Sequence, residues 1–235
     1  MNSSIAFRMW RVTGPTAAHR AALTALLCIA SVAPMAALSE PPASLLLAPR
    51  EILPPATLSR APITALTMGS LRIALGTTTL DDVREAMGGA IEYDERGGAS
   101  RYRLCYTIPH DESWQRIWLI SDERTGRIEI DHRISQIEAL ETMNKDAAPD
   151  CPIPTASYLP PHFDQGVWLG QSEQGLLQAL GRPAERSRGD WSYVYYNAIP
   201  DRGATRRTDH VVSMVQAQVQ VGKITAIVAS QITTY

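Results

Sequence analysis

The clearest pattern in the chain is the run "VQAQVQV", in which Val215, Ala217, Val219 and Val221 alternate with Gln216, Gln218 and Gln220. Successive side chains of a strand point to opposite faces, so this predicts a strand with one apolar and one polar side. "WQRIWLIS" and "RIEIDHRI" fill matching places in the first half of the chain. A different period precedes each group of strands. In "TTTLDDVREAMGGA", Leu80, Val83, Ala86 and Met87 recur at helical spacing, Thr79 stands at the N-cap with Asp82 three residues on, and Gly88-Gly89 stops the helix. In "GQSEQGLLQALGRP", Ser172 takes the cap, Leu176, Leu177 and Leu180 make the apolar face, and Gly181 ends the helix with Pro183 behind it.

These patterns come twice in the same order. An offset of 93 residues aligns Thr79 with Ser172, Val83 with Leu176, Ala86 with Ala179, Met87 with Leu180 and Gly88 with Gly181. "RYRLCYTIP" and "SYVYYNAIP" then align at 91, with Tyr102, Ile108 and Pro109 answering to Tyr193, Ile199 and Pro200. "TGRIEIDHRI" and "VGKITAIVAS" follow at 96, placing Gly126, Arg127 and Ile128 on Gly222, Lys223 and Ile224. Collinear matches with small drifts are the mark of a duplicated unit, here roughly 70 residues long. The predicted fold is α+β: two tandem repeats, each a short helical layer packed on an antiparallel β-sheet. The repeats are placed at 66–140 and 166–235, joined by a linker at 141–165.

The ends and the cysteines add a cellular setting. Arg8, Arg11, His19 and Arg20 lead into the apolar run "AALTALLCIASVA" and the small-residue stretch "PMAALSE", the order of a secretory signal peptide over 1–39. An uncut membrane anchor is the alternative, although the run is short for a span and holds Thr24, Ser31 and Pro34. Cys28 follows Leu26 and Leu27, not a small residue, so no lipid anchor is expected. Residues 40–65, with paired prolines and no sustained period, predict an extended tether with a few residues tacked onto the fold. The leader holds three of the 22 basic residues and none of the 24 acidic ones, so its removal leaves an acidic chain without long-range attraction to nucleic acid or anionic lipid. It also leaves two cysteines, Cys105 and Cys151. An even count in an exported chain predicts a disulfide, worth roughly 3–4 kcal/mol in the chain-entropy model, with two buried free thiols as the alternative.

The second helix and its strands, "LGQSEQGLLQALGRP…DWSYVYY…VGKITAIV", resemble the SmpA/OmlA outer-membrane assembly lipoproteins and the β-lactamase inhibitory proteins that share their fold. The shared pattern is a glycine, a capping serine, an apolar residue four on, leucine-glycine-x-proline, an aromatic strand and a glycine-basic hairpin turn. The first copy departs from it, with Thr77, Gly89 and Ala90 where Gly170, Arg182 and Pro183 stand. The resemblance implies a helical layer on an antiparallel sheet, with a concave, mostly solvent-facing sheet surface in the tandem form. It also implies a protein binder, inhibitor or scaffold, not an enzyme.

Chemistry-bearing residues are few. His110-Asp111-Glu112, Asp131-His132 and Asp209-His210 place imidazoles beside carboxylates, the raw material of a metal or acid–base site. Asp131 and His132 would point to opposite faces of a strand and could not serve one centre. Ser172 and Thr79 are explained as caps, not nucleophiles. No zinc spacing, phosphate loop or nucleophile elbow occurs, and no cofactor or metal is expected. Trp191, Tyr193 and Tyr195 share a strand face that aligns with Tyr102, Leu104 and Tyr106, and are read as core. The opposite face is expected to stand open, presenting Arg103, Arg116, Trp118, Tyr196, Gln216, Gln218 and Gln220 as a protein-contact surface, with Cys105 beside them. The expected function is therefore a non-catalytic periplasmic or secreted protein that binds another envelope or secreted protein. A small hydrolase or metal-dependent enzyme using the His/Asp pairs, and a structural envelope component, are the alternatives.

Overall fold

Short capped helices and long alternating strands produce an α+β fold of mostly antiparallel sheet. The computed structural model describes residues 61–96, 99–122, 132–143, 151–187, 189–200 and 208–234, which all belong to one compact unit. In chain order the elements are β1 (Ala65–Met68), β2 (Leu71–Ala74), α1 (Leu80–Met87), β3 (Glu92–Arg96), β4 (Ala99–His110), β5 (Ser113–Asp122) and β6 (Gln136–Thr142). Then come β7 (Pro161–Phe163), α2 (Glu173–Leu180), β8 (Glu185–Ser187), β9 (Asp190–Pro200), β10 (Thr208–Gln220) and β11 (Lys223–Thr234). One sheet runs β3-β4-β5-β6-β11-β10-β9-β8, and a second, smaller one runs β2-β1-β7.

Both helices form for the reasons their sequences announce. The Thr79 hydroxyl accepts the Asp82 N–H at 3.0 Å, and the Asp82 carboxylate accepts the Thr79 N–H at 2.9 Å, a reciprocal capping box. That backbone hydrogen bond, helped by the Thr79 side chain, holds the Asp82 carboxyl below its ordinary pKa. Ser172 caps α2 by accepting the Gly175 N–H at 3.1 Å. Gly88 and Gly181 end the two helices at positive φ, each N–H closing back on a carbonyl at 2.8 Å. Leu80 and Val83 are buried from α1, and Leu176 and Leu180 from α2. Leu177, expected on the apolar face, is instead exposed.

The helices cover one face of the large sheet. Across it, Tyr106, Ile117, Ala139, Ile227, Ala217 and Trp191 form one cross-strand row, and all are buried. Leu104, Leu119, Ile137, Ala229 and Val215 form the next. Each full burial of an Ile, Leu or Val contributes about 1.5–3 kcal/mol, so these rows with α1, α2 and the small sheet make the main core. Leu104, Tyr106 and Trp191 are thus core, as the alternation predicted. The side chains of Tyr193 and Tyr195 lie outside the described residues. Val221, assigned to the apolar face, is exposed at the tip of the β10–β11 hairpin, where Val221 and Gly222 both take positive φ. A two-residue turn of that hand fits the twist of the flanking strands.

The contacts of the helix starts with the sheet recur. Beside α1, Gly76 N–H donates to Ile134 O (2.8 Å), Ile134 N–H to Thr78 O (2.9 Å) and Leu80 N–H to His132 O (3.1 Å). Beside α2, Gly170 N–H donates to Ile224 O (2.8 Å), Ile224 N–H to Gln171 O (2.9 Å) and Glu173 N–H to Gly222 O (2.9 Å). Ile134 thus makes beside α1 the backbone contacts that Ile224 makes beside α2, and Gly76 those that Gly170 makes. The strand matching "KITAIV" is β6, directly after "HRIS". Residues 125–131 of "TGRIEIDHRI" lie outside the described residues.

The linker is tied down at several points. Cys105 and Cys151 are joined by a disulfide, with Cα atoms 5.1 Å apart. Pro152 O accepts the Thr107 N–H at 3.0 Å on the edge of β4, and the Tyr158 hydroxyl donates to Ala86 O at 2.7 Å. β7 pairs with β1, and Asp164 takes the Thr64 N–H at 2.9 Å and the Thr64 hydroxyl at 2.6 Å. The last tether residues are tacked on here, with Ile63 buried. Gly69 is required at its turn: its φ is +58°, and a Cβ would lie 1.9 Å from Ser157 O.

The main core contains neither half-cystine. A Cys105→Ala/Cys151→Ala variant should therefore keep its native circular dichroism while losing about 4 kcal/mol in denaturant unfolding, the chain-entropy value for this loop. Unchanged stability, or two titratable thiols in denatured, unreduced wild-type protein, would contradict the bridge.

Candidate functional site

The second face of the eight-stranded sheet was expected to be open, and it is open only in part. Its rows follow from the register: Cys105, Trp118, Glu138, Val228 and Gln216 in one, Thr107, Arg116, Leu140, Ala226 and Gln218 in the next. On β4 and β5 this face is closed. Arg103 and Arg116 are each 4% exposed and Trp118 is 1% exposed, so these three are not surface contacts. Cys105, expected beside them on open surface, is buried too. Trp118 packs with Cys105, Ile120, Cys151 and Leu140 in a small apolar cluster around the disulfide. Arg103 is held by an ion pair, its Nε 2.8 Å from Glu92 Oε2.

The β10 part of the face is different. Gln216 and Gln218 are half-buried and Gln220 is exposed, and the Gln220 amide donates to Gln218 Oε1 at 3.1 Å. The Tyr196 backbone pairs with Val212 on β10. Its side chain lies outside the described residues.

At the centre of the face sits a residue that sequence reasoning passed over. Glu138 is 0% exposed, between Trp118 and Val228 in its row. The Gln136 amide donates to its Oε1, while Oε2 finds no hydrogen-bond partner among the described residues. Burial pushes the Glu138 carboxyl up to about 7, against smaller opposing effects of the Gln136 hydrogen bond and the charges of Arg101 and Arg103. Burial likewise lowers the Arg116 pKa from its ordinary value. Arg103 Nη2, Thr107 Oγ1 and Trp118 Nε1 on this face also find no hydrogen-bond partner among the described residues. In "SQIEAL", Glu138 sits where β11 carries Val228. An acidic residue at an alternating position is the usual sign of a solvated face, so nothing local marked it as interior.

The His/Asp motifs do not converge. His110, Asp111 and Glu112 are exposed at the β4–β5 turn. The His132 ring lies 3.9 Å from that of Tyr102, at a positive-φ residue outside any strand, and Asp131 is outside the described residues. His210 pairs with Thr234 at the far end of the sheet from His110, and the Asp209 side chain is outside the described residues. No group of three or more His, Cys, Asp or Glu able to hold a metal occurs among the described residues. Comparison of the chain with protein-family models, curated proteins and solved structures returns no match.

A carboxyl whose folded pKa is raised keeps its proton in the folded state while the unfolded chain has lost it. Between pH 4.5, the ordinary value, and about 7, the folded state binds more protons, so stability falls as pH rises through that window. The loss is about 3 kcal/mol, the gap converted at roughly 1.4 kcal/mol per pKa unit. Glu138→Gln should flatten the profile and be the more stable of the two at pH 8. Urea unfolding at pH 5 and pH 8 checks this, and a wild-type slope retained by the variant would refute it.

Proposed function

We propose that the chain is an exported, non-catalytic protein-binding module that contacts another envelope or secreted protein through the glutamine side of its sheet. What carries the proposal is the file of Gln216, Gln218 and Gln220 on β10, half-buried to exposed, on the face that α1 and α2 do not cover. Amide side chains on a firmly paired strand offer donors and acceptors at fixed spacing, and the strand backbone that carries them is already ordered before a partner meets it. The linker supports the same idea, because it is strapped to β4, α1 and β1.

The module is two copies of one unit, similar in plan to the SmpA/OmlA and β-lactamase inhibitory proteins. Several features support duplication. The strand order β3-β4-β5-β6 is mirrored by β8-β9-β10-β11 across the seam. An offset of 90 residues separates Ile134 from Ile224 beside the helices. The same offset relates Glu138 to Val228, the central pair of the β6–β11 register, so that Ile137–Ala229 and Ala139–Ile227 exchange under a local twofold. A duplicated unit would produce this agreement between two independent sets of contacts.

Export rests on the disulfide, which needs an oxidising compartment, and on the leader read from the sequence. No helix among the described residues is long and apolar enough to cross a membrane. The inhibitor and scaffold roles share this surface and differ in the partner.

Replacing Gln216 and Gln218 together with arginine should cut capture of the partner from envelope extract at least ~10-fold, equivalent to about 1.4 kcal/mol. The melting temperature should stay within a few degrees, because neither side chain is in the main core. Undiminished capture by a folded variant would move the contact away from β10.

A further inference from the structure

The two edges of the eight-stranded sheet are finished differently. At one end lies β3, where Glu92, Asp94, Glu95 and Arg96 are charged and only Tyr93 is not. Charges of that density discourage another chain from adding a strand. β3 stops where Glu92 pairs with Arg103, and the linker takes over from there: Pro152 O accepts the Thr107 N–H at 3.0 Å, and Cys151 is bonded to Cys105. At the other end β8 pairs only with Asp190, Trp191 and Ser192. From Tyr193 to Pro200, no strand among the described residues pairs with the outer side of β9. That stretch, "YVYYNAIP", holds no charged residue.

The backbone groups at this edge follow from the alternation of an antiparallel strand, whose residues turn both N–H and C=O to one neighbour and then to the other. The Val219 N–H donates to Gly189 O at 2.7 Å, so the Gly189 carbonyl is turned to β10. Asp190 and Ser192 are then turned to β8. The β9–β10 register continues without a shift, so Val194, Tyr196 and Ala198 turn their N–H and C=O to the open edge, and Pro200 turns its C=O there. β8 closes the edge as far as Ser192, and β9 ends at Pro200. The open run Val194–Pro200 is centred on Asn197.

We infer that β9 is a dimerisation edge, in which Val194–Pro200 pairs antiparallel with the same run of a second copy about a twofold axis at Asn197. Tyr196 then faces Ala198 of the partner subunit and exchanges N–H and C=O with it, twice over by symmetry. The Val194 N–H meets the carbonyl of Pro200 of the partner subunit, the single group that a proline offers to a strand. Charge favours a second copy as the occupant. A twofold axis sets a strand against itself, and an uncharged run does so without opposing like charges. The closure is also complete: both β9 edges are used, and the outermost strand at each end of the joined sheet is the charged β3. The inference is independent of the glutamine contact, although such an axis keeps the β10 glutamines of both copies on one side of the joined sheet.

Sedimentation equilibrium of the oxidised chain, from micromolar to millimolar concentration, should reach twice the monomer mass. The amides of Val194, Tyr196 and Ala198 should slow in hydrogen exchange as the dimer forms. A monomer throughout, or a dimer in which those amides exchange unchanged, overturns the inference. Asn197→Lys and Asn197→Glu each set like charges at directly opposed positions, and each should weaken self-association at least ~10-fold. Mixing the two variants pairs lysine with glutamate and should restore the dimer, which also shows that both variants fold. Self-association undiminished in both variants, or a mixture that stays monomeric, counts against pairing at Asn197.

Discussion

The pairing of β6 with β11 is the interaction on which the rest of the fold depends. It joins five residue pairs, from Gln136–Ser230 to Leu140–Ala226, and turns two four-stranded sheets into one continuous sheet. Main-chain hydrogen bonds across that seam bring Ile137, Ala139, Ile227 and Ala229 into shared rows, so both helices pack on one apolar surface. Without the seam each half would present a small core with little area to bury, and units of that size are marginal alone. The seam also dictates what lies behind the core. Strand alternation that places Ile137 and Ala139 inward necessarily sends Glu138 to the other face, at the middle of the sheet.

How much of this was legible follows from how local each determinant is. The caps at Thr79 and Ser172, the stops at Gly88 and Gly181 and the inward set of Leu104, Tyr106 and Trp191 depend on residues a few positions apart, and their patterns are unambiguous. Leu177 and Val221 were misassigned because periodicity carries past the point where an element ends or a helix face turns toward water. The third matched segment slipped for another reason. "TGRIEI" and "VGKITA" share a glycine-basic-isoleucine triplet, yet the hydrogen bonds beside the helix starts choose Ile134 for the part of Ile224. Turn-like triplets recur by chance, whereas a strand is selected by what it pairs with.

The larger gap concerned the second face. Alternation tells which residues share a side of a sheet, and it did put Arg103, Cys105, Arg116, Trp118 and the glutamines on the same one. It is silent on what covers that side. The disulfide was legible as a pair of cysteines, but its consequence was not: Trp118 and Ile120 close over the cystine, while Arg103 turns to Glu92 and away from solvent. The contact surface we propose therefore narrows to the β10 glutamines. That narrowing has a physical advantage for recognition. The strand bearing them is paired on both sides, with β11 and with β9, so its side chains project from a backbone that is already ordered.

Glu138 shows why one sheet cannot be optimised on both faces at once. The position it would share with Val228 under the local twofold is apolar on β11 and ionisable on β6. An apolar residue there would remove the desolvation penalty, and the carboxyl escapes most of that penalty by staying protonated up to about neutral pH. Its setting contains groups that make a carboxyl tolerable when buried: a donor from Gln136 and the positive charges of Arg101 and Arg103. The closed half of the face thus keeps its charged groups inside on specific partners, Arg103 on Glu92 and Glu138 on Gln136. The half that carries Gln216 and Gln218 retains unspent hydrogen-bonding capacity at the surface, which is the physical basis for assigning recognition to β10.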